Sequence, residues 1–228
     1  MIDFKTFESR EGAAYQLAND IESLLQRSIE QTSAANFMVS GGSSPLKVYQ
    51  HLSKATLDWE RVNIIPSDER CVKDSSDQSN AKMIRANLLQ DKAAAAEFHP
   101  LVTEQGKPLS EDQIAALQVK FSAPFAISLL GMGEDGHTAS LFPDALEIED
   151  AIIGDDFCYQ LSPAHLKQKR ISLSASVLIN SSRIILLMYG DRKRQLFEAA
   201  KSPGDAFDLP VRVLLHQQGA PVDVYWAP

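Results

Sequence analysis

Three short segments of this chain carry residue types that could do chemistry together. The first, Gly131-Met132-Gly133-Glu134-Asp135-Gly136-His137-Thr138-Ala139-Ser140-Leu141-Phe142-Pro143, gathers three glycines, two carboxylates and a histidine directly after an apolar run. A lone histidine is more often structural or solvated, but one on a glycine turn at the carboxyl end of a strand is placed to act as an acid or base near neutral pH. The second, Ser40-Gly41-Gly42-Ser43-Ser44-Pro45, leads from a strand into a helix whose first N–H groups lack partners. Glycines let backbone approach a phosphate and serine hydroxyls add donors, so the segment suits a phosphorylated ligand; a tight turn with a serine cap accounts for the same residues. The third, Ser67-Asp68-Glu69-Arg70 with Ser79-Asn80 opening the next helix, offers a guanidinium fork for a phosphate, a carboxylate or a developing oxyanion, against the plainer reading of a solvated loop. Arg170 and the cluster Asp191-Arg192-Lys193-Arg194 supply further cations after strands, each on its own more typical of an exposed charge.

Several familiar chemistries do not fit. The serine-glycine turn lacks the Gly-Lys-Ser/Thr ending of a P-loop. Gly131-x-Gly133-x-x-Gly136 has the spacing of a dinucleotide fingerprint, but it does not close an early βαβ unit and a histidine follows its last glycine, so a dinucleotide is rejected. Cys71 and Cys158 cannot form a metal cluster alone, and neither a metal nor another cofactor is expected.

The elements that would hold these segments alternate. Apolar residues Ala14, Leu17, Ile21, Leu24, Leu25 and Ile29 recur at helical spacing over 13–29. A strand over 36–40 then runs into a helix from Pro45 to about His51. A strand at 62–65 is followed by a polar loop over 66–79 and a helix carrying Met83, Ile84 and Leu88. Ser110-Glu111-Asp112-Gln113 matches a capping box, ahead of a helix with Ile114, Leu117 and Phe121 and an apolar strand at 125–130. Strands are expected at 170–173 and 183–189, with short and longer helices at 176–179 and 191–201. Residues 211–215 and 222–226 read as paired terminal strands. The implied fold class is α/β, a Rossmann-like, mostly parallel sheet with helices on both faces, whose ligand would sit at the carboxyl ends of the strands where both glycine turns fall.

The length fits one large α/β domain or two small ones, and a single domain over 1–228 is expected. Hydrophobic residues at 44% and charged residues at 23% are average for a globular chain. Thirty acidic against 22 basic residues give a net charge of −8, which opposes general nucleic-acid binding but not a small anionic ligand in a basic pocket. The start, Met1-Ile2-Asp3-Phe4-Lys5, shows no secretory pattern and the apolar run 184–189 is far too short for a bilayer, so a cytoplasmic protein without membrane partners is expected.

In order along the chain, 40–45, Asp68-Glu69-Arg70 with Ser79-Asn80, 131–143, Arg170-Ile171-Ser172-Leu173 and Gly190-Asp191-Arg192-Lys193 resemble the motifs of the 6-phosphogluconolactonase family. The likeness spans nearly the whole chain, and Gly-His-Thr-Ala-Ser-Leu-Phe-Pro carries the most weight. It implies a Rossmann-like fold of the glucosamine-6-phosphate isomerase type and cytosolic, metal-free hydrolysis of 6-phosphogluconolactone in the oxidative pentose phosphate pathway. It further implies His137 as general base, Asp135 as the residue that orients or tunes it, and Arg70 at the carbonyl oxygen or substrate hydroxyls. Gly41, Gly42 and Ser43 would line the sugar phosphate, with Asp68 in the substrate site and Arg170 and Lys193 as cationic partners of the phosphate. A monomer or homodimer is expected. Ser44 stands where the family often has threonine, and 163–169 is less proline-rich than usual.

Two rivals share parts of this pattern. Glucosamine-6-phosphate deaminases would have Asp-Glu-Tyr where this chain has Asp68-Glu69-Arg70, and Ile-Gly-Phe-Asn-Glu in place of Thr138 to Phe142. A non-catalytic phosphosugar sensor of a transcription regulator would need a DNA-binding module, for which the opening helix begins too early.

Overall fold

The structure, a computed structural model, describes every residue from 1 to 228. Ten strands and eight α-helices follow in the order β1 (Ile2–Thr6), α1 (Arg10–Thr32), β2 (Ala35–Val39), α2 (Leu46–Leu52), β3 (Val62–Pro66), β4 (Asp68–Arg70), α3 (Asn80–Asn87), β5 (Glu97–Phe98), α4 (Glu111–Lys120), β6 (Ile127–Gly131), α5 (Ile148–Ile153), β7 (Cys158–Leu161), β8 (Arg170–Leu173), α6 (Ala175–Ile179), β9 (Ile184–Tyr189), α7 (Asp191–Lys201), α8 (Arg212–Leu215) and β10 (Val222–Ala227). Seven strands form a wholly parallel sheet in the order β1-β10-β9-β6-β2-β3-β5. The remaining three, β4-β8-β7, form a small antiparallel sheet.

Period-two alternation splits the core between the two faces of the large sheet. On β9, Ile185 and Leu187 pack with α1, α2 and α3 through Leu17, Ile21, Tyr49, Leu52 and Ile84. Ile184, Leu186 and Met188 face the other way, toward Leu117 of α4, Leu178 of α6, Phe197 of α7 and Leu214 of α8. Capping residues set the helix ends: the Ser9 hydroxyl accepts from the Gly12 N–H ahead of α1, and Ser110 and Gln113 form the expected capping box at α4.

From β2 the chain winds outward through β3 to β5, then returns to the opposite side of β2 to lay down β6 and winds the other way through β9 to β10. The gap between the carboxyl ends of β2 and β6 is therefore a topological switch point, where segments leaving adjacent strands diverge and leave a crevice.

Three expectations are corrected. Residues 211–215 are not a strand: Arg212–Leu215 is helix α8, and the buried residues Val211, Leu214 and Leu215 fall at i, i+3 and i+4, the spacing of one helical face. The terminal strand consequently pairs in parallel with β1 and β9. The stretch 66–79 is not all loop, because Asp68–Arg70 pairs with β8, and Arg170 opens that strand rather than following one.

Candidate active site

Four segments converge at the switch point on a cleft of about 390 Å³. The turn after β2 contributes Ser40 to Pro45; β4 and α3 contribute Asp68, Arg70 and Asn80; the turn after β6 contributes Gly131 to Glu134, His137 and Ala139; and α7 contributes Lys193. Of the residues singled out from sequence, Gly41, Gly42, Ser43, Asp68, Arg70, His137 and Lys193 line this cleft. Asp135 and Arg170 stand behind it, Asp135 bonded to His137 and Arg170 directly opposite Arg70 across the β4–β8 ladder.

The serine-glycine turn is fixed from beneath and beside. The buried Tyr49 hydroxyl donates to the Ser40 carbonyl at 2.7 Å. Gly41 lies against Asn80 so closely that a Cβ there would fall 2.0 Å from Asn80 Oδ1. Asn80 is itself held by its Nδ2 donating to the Asp68 carbonyl at 2.8 Å. No side chain caps α2, so apart from the Leu46 N–H, which donates to the Ser43 carbonyl at 3.4 Å, the donors of its first turn stay available to a ligand.

Glu69 organises the third segment. Fully buried, its carboxylate accepts from the Asn80 and Ala81 N–H groups at 2.8 and 2.7 Å, from the Ser79 hydroxyl at 3.2 Å and from the Arg70 N–H at 2.7 Å. It thus pins the start of α3 to β4. Burial pushes its carboxyl pKa up, with the backbone donors opposing. Asp68 is held by the Ser67 hydroxyl at 3.1 Å and the Ser140 hydroxyl at 2.6 Å, which ties β4 to the histidine turn.

In that turn the His137 ring nitrogen Nδ1 lies 2.5 Å from Asp135 Oδ1, and the His137 N–H donates to the same oxygen at 3.2 Å. With Nδ1–H donating to the carboxylate, Nε2 carries the free lone pair. Gly133 makes room for the pair, since a Cβ there would lie 2.2 Å from the imidazole. The Gly133 N–H closes the turn on the His137 carbonyl at 2.9 Å. The His137 side chain is 28% exposed, open to a reactant without being loose in solvent.

Partial burial works against ionisation of Asp135, but the hydrogen bond and charge of His137 prevail and hold its carboxyl at about 2, below the ordinary 3.8. A depressed folded-state pKa supplies stability that is present above 3.8 and lost as pH falls through about 2. Asp135→Asn is therefore expected to flatten the pH dependence of the denaturation midpoint across that window. It should also lower turnover about tenfold by loosening the imidazole.

Three cations face or back the cleft without an ion-pair partner: Arg70, Arg170 and Lys193 form none of the protein's salt bridges. Arg70 spends one N–H on the Gln78 carbonyl at 2.6 Å, while Nε of both Arg70 and Arg170 is buried and unpartnered. Burial and then the charge of Arg70 lower the Arg170 pKa; burial likewise lowers that of Lys193, opposed by Glu134. Two like charges opposed across a ladder cost stability, and an anion between them and Lys193 would recover it. No group of three or more His, Cys, Asp or Glu side chains is assembled to hold a metal ion, and no helix is long and apolar enough to cross a membrane.

Sequence reasoning passed over Asn80 as a packing partner of Gly41, Glu69 as the clamp on α3, and Ser140 as the support of Asp68. Glu69 alone had a local signal, a carboxylate at a strand end ahead of a helix start.

The family described as glucosamine-6-phosphate isomerases/6-phosphogluconolactonase matches residues 8–226. The chain is 36% identical to the 6-phosphogluconolactonase of Mesorhizobium japonicum over 99% of this chain and 95% of that protein. It is 32% identical to that of Rhizobium meliloti over 97% of each. A crystal structure of a 6-phosphogluconolactonase from Shewanella baltica superposes with a TM-score of 0.93 at 36% identity, covering 100% of this chain and 98% of that one.

Proposed function

Because the chain belongs to the family of glucosamine-6-phosphate isomerases and 6-phosphogluconolactonases, we propose that it hydrolyses 6-phosphoglucono-1,5-lactone to 6-phosphogluconate in the oxidative pentose phosphate pathway, with His137 as general base and without a metal. The observation that carries this reading is the meeting, in one cleft, of a carboxylate-braced imidazole with a glycine turn and unpaired cations.

In this mechanism the turn of Gly41, Gly42 and Ser43 receives the sugar phosphate, with Lys193 and Arg170 supplying positive charge. Asp68 bonds substrate hydroxyls. The free Nε2 of His137 takes a proton from water as the water oxygen bonds to the lactone carbonyl carbon. Asp135 stabilises the imidazolium that forms, and Arg70 stabilises the oxyanion of the tetrahedral intermediate. Collapse breaks the bond to the ring oxygen, which leaves with the proton returned by His137, and the product is the open-chain acid. General-base catalysis supplies about 10²–10⁴-fold and one oxyanion donor about 10²–10³-fold, enough to outrun spontaneous opening of an activated ester.

The deciding assay generates the lactone with glucose-6-phosphate dehydrogenase and follows its disappearance with and without the protein. Acceleration above the spontaneous rate is the expected result. Ammonia release from glucosamine 6-phosphate would instead assign the deaminase reaction, and binding of 6-phosphogluconate without any acceleration would assign a sensor. Lys193→Ala is expected to raise KM for the lactone about tenfold while changing kcat less than about threefold, as loss of a charge-assisted contact to a non-reacting phosphate should.

A further inference from the structure

The ring of Phe142 lies on the imidazole of His137, with centroids 4.1 Å apart and planes tilted by 39°. We propose that Phe142 is a positioning residue for His137, fixing the plane of the imidazole and stabilising it once it has taken up a proton. The inference rests on reading His137 as the base and adds a residue that acts through it.

The backbone between the two residues is shaped to make this contact. Ala139 sits at φ 50°, a left-handed conformation that costs a non-glycine residue free energy and persists where its surroundings impose it. Leu141 N–H donates to the Thr138 carbonyl at 3.0 Å and Phe142 N–H to the Ser140 carbonyl at 3.0 Å, folding the chain back on itself. The ends of this turn are anchored: the Thr138 hydroxyl donates to the Gly131 carbonyl at 2.9 Å, and Ser140 is tied to Asp68 and, through its N–H at 3.3 Å, to Ser172. Phe142 itself is 7% exposed and belongs to the core on the α4–α8 side of the sheet, so its ring is packed in place. The imidazole is thus bounded by Asp135 at Nδ1, by the bare Cα of Gly133, and by an aromatic face.

An aliphatic side chain of similar volume would fill the same space but would lack the negative face of the ring, which attracts a cation within about 6 Å. That attraction acts on the imidazolium and not on the neutral ring. The other charged and titratable groups around His137 are Asp135 and Glu134 on its own turn, Asp68 and Arg70 on β4, and Lys193 on α7. Beyond the ring, Arg170 lies 6.0 Å from its centroid, and His165, bonded to Asp144, meets it edge-on at 5.4 Å. All of these remain in a Phe142 variant, so a change on substitution reports the ring.

The test compares Phe142→Leu with fluorinated phenylalanine placed at position 142, which keeps the shape while weakening the negative face. Turnover should fall about 3–10-fold in Phe142→Leu with KM nearly unchanged. The acid limb of kcat/KM should move to lower pH by about half a pH unit, with a matching fall in the His137 pKa read by NMR of the imidazole nitrogens. The fluorinated series should move both in the same direction by steps, and it decides the matter should Phe142→Leu not fold. A folded Phe142→Leu with unaltered turnover, or one with reduced turnover but an unmoved NMR titration, overturns the proposal. If His137→Ala kept full turnover, the base assignment would fail by itself, while the NMR titration would still read whether Phe142 acts on the imidazole.

Discussion

Replacing His137 with alanine is expected to lower kcat for the lactone by about 10²–10⁴-fold, the full contribution of a general base, while KM stays close to wild type and the denaturation midpoint falls only by what the bond to Asp135 contributes. The kinetic effect is large because no other imidazole lines the cleft and both carboxylates there are engaged, Asp68 by the Ser67 and Ser140 hydroxyls and Glu134 by Arg192. The structural effect is small because the side chain is partly exposed and the turn is closed by backbone bonds that alanine retains, such as that from the Gly133 N–H. Since the lactone also opens spontaneously, the comparison is made on rates corrected for that background. Wild-type turnover in the variant would remove His137 from the chemistry.

The second large effect is expected at Arg70. Arg70→Met should lower kcat/KM by about 10²–10³-fold, as removal of an oxyanion donor does. Its effect on stability should be of the opposite kind, or nearly nil. Arg70 faces Arg170 across an antiparallel ladder, their repulsion only partly offset by the charges of Asp68 and Glu69, so methionine relieves a like-charge pair while giving up the bond to the Gln78 carbonyl. The melting temperature is therefore expected to stay within about 2 °C of wild type. A loss of both activity and stability would mark Arg70 as structural. Function held in place against local repulsion is the trade-off expected where a cleft is preorganised for an anion.

Central strands were legible because a parallel sheet covered on both faces favours near-continuous apolar runs, and 62–65, 125–130 and 184–189 have them, interrupted only by Asn63 and Ser128. The edge was not: β1, Ile2–Thr6, is half exposed with charges at Asp3 and Lys5, so its pattern is diluted. Residues 211–215 misled because so short a stretch, four apolar residues interrupted by Arg212, cannot be told from a helical face by periodicity, and only the packing of Val211, Leu214 and Leu215 decides. At the cleft, each turn announced itself through glycine, serine and histidine at strand ends, and the structure brings those turns together. What spacing could not reveal were contacts across the chain: Asn80 filling the space a side chain at Gly41 would take, Ser140 reaching Asp68, and the ring of Phe142 on His137. Nor could it reveal depth, and so Arg170 is found behind Arg70 rather than in the cleft wall.

The central claim is one of orientation: a lactone whose phosphate rests on the Gly41–Ser43 turn presents its carbonyl carbon to the imidazole of His137. A crystal structure with the product 6-phosphogluconate bound tests it most directly. The expected density places the new carboxylate within hydrogen-bond distance of His137 Nε2 and the phosphate against the serine-glycine turn and Lys193. Product bound with its phosphate at His137, or lodged outside this cleft, would contradict the account.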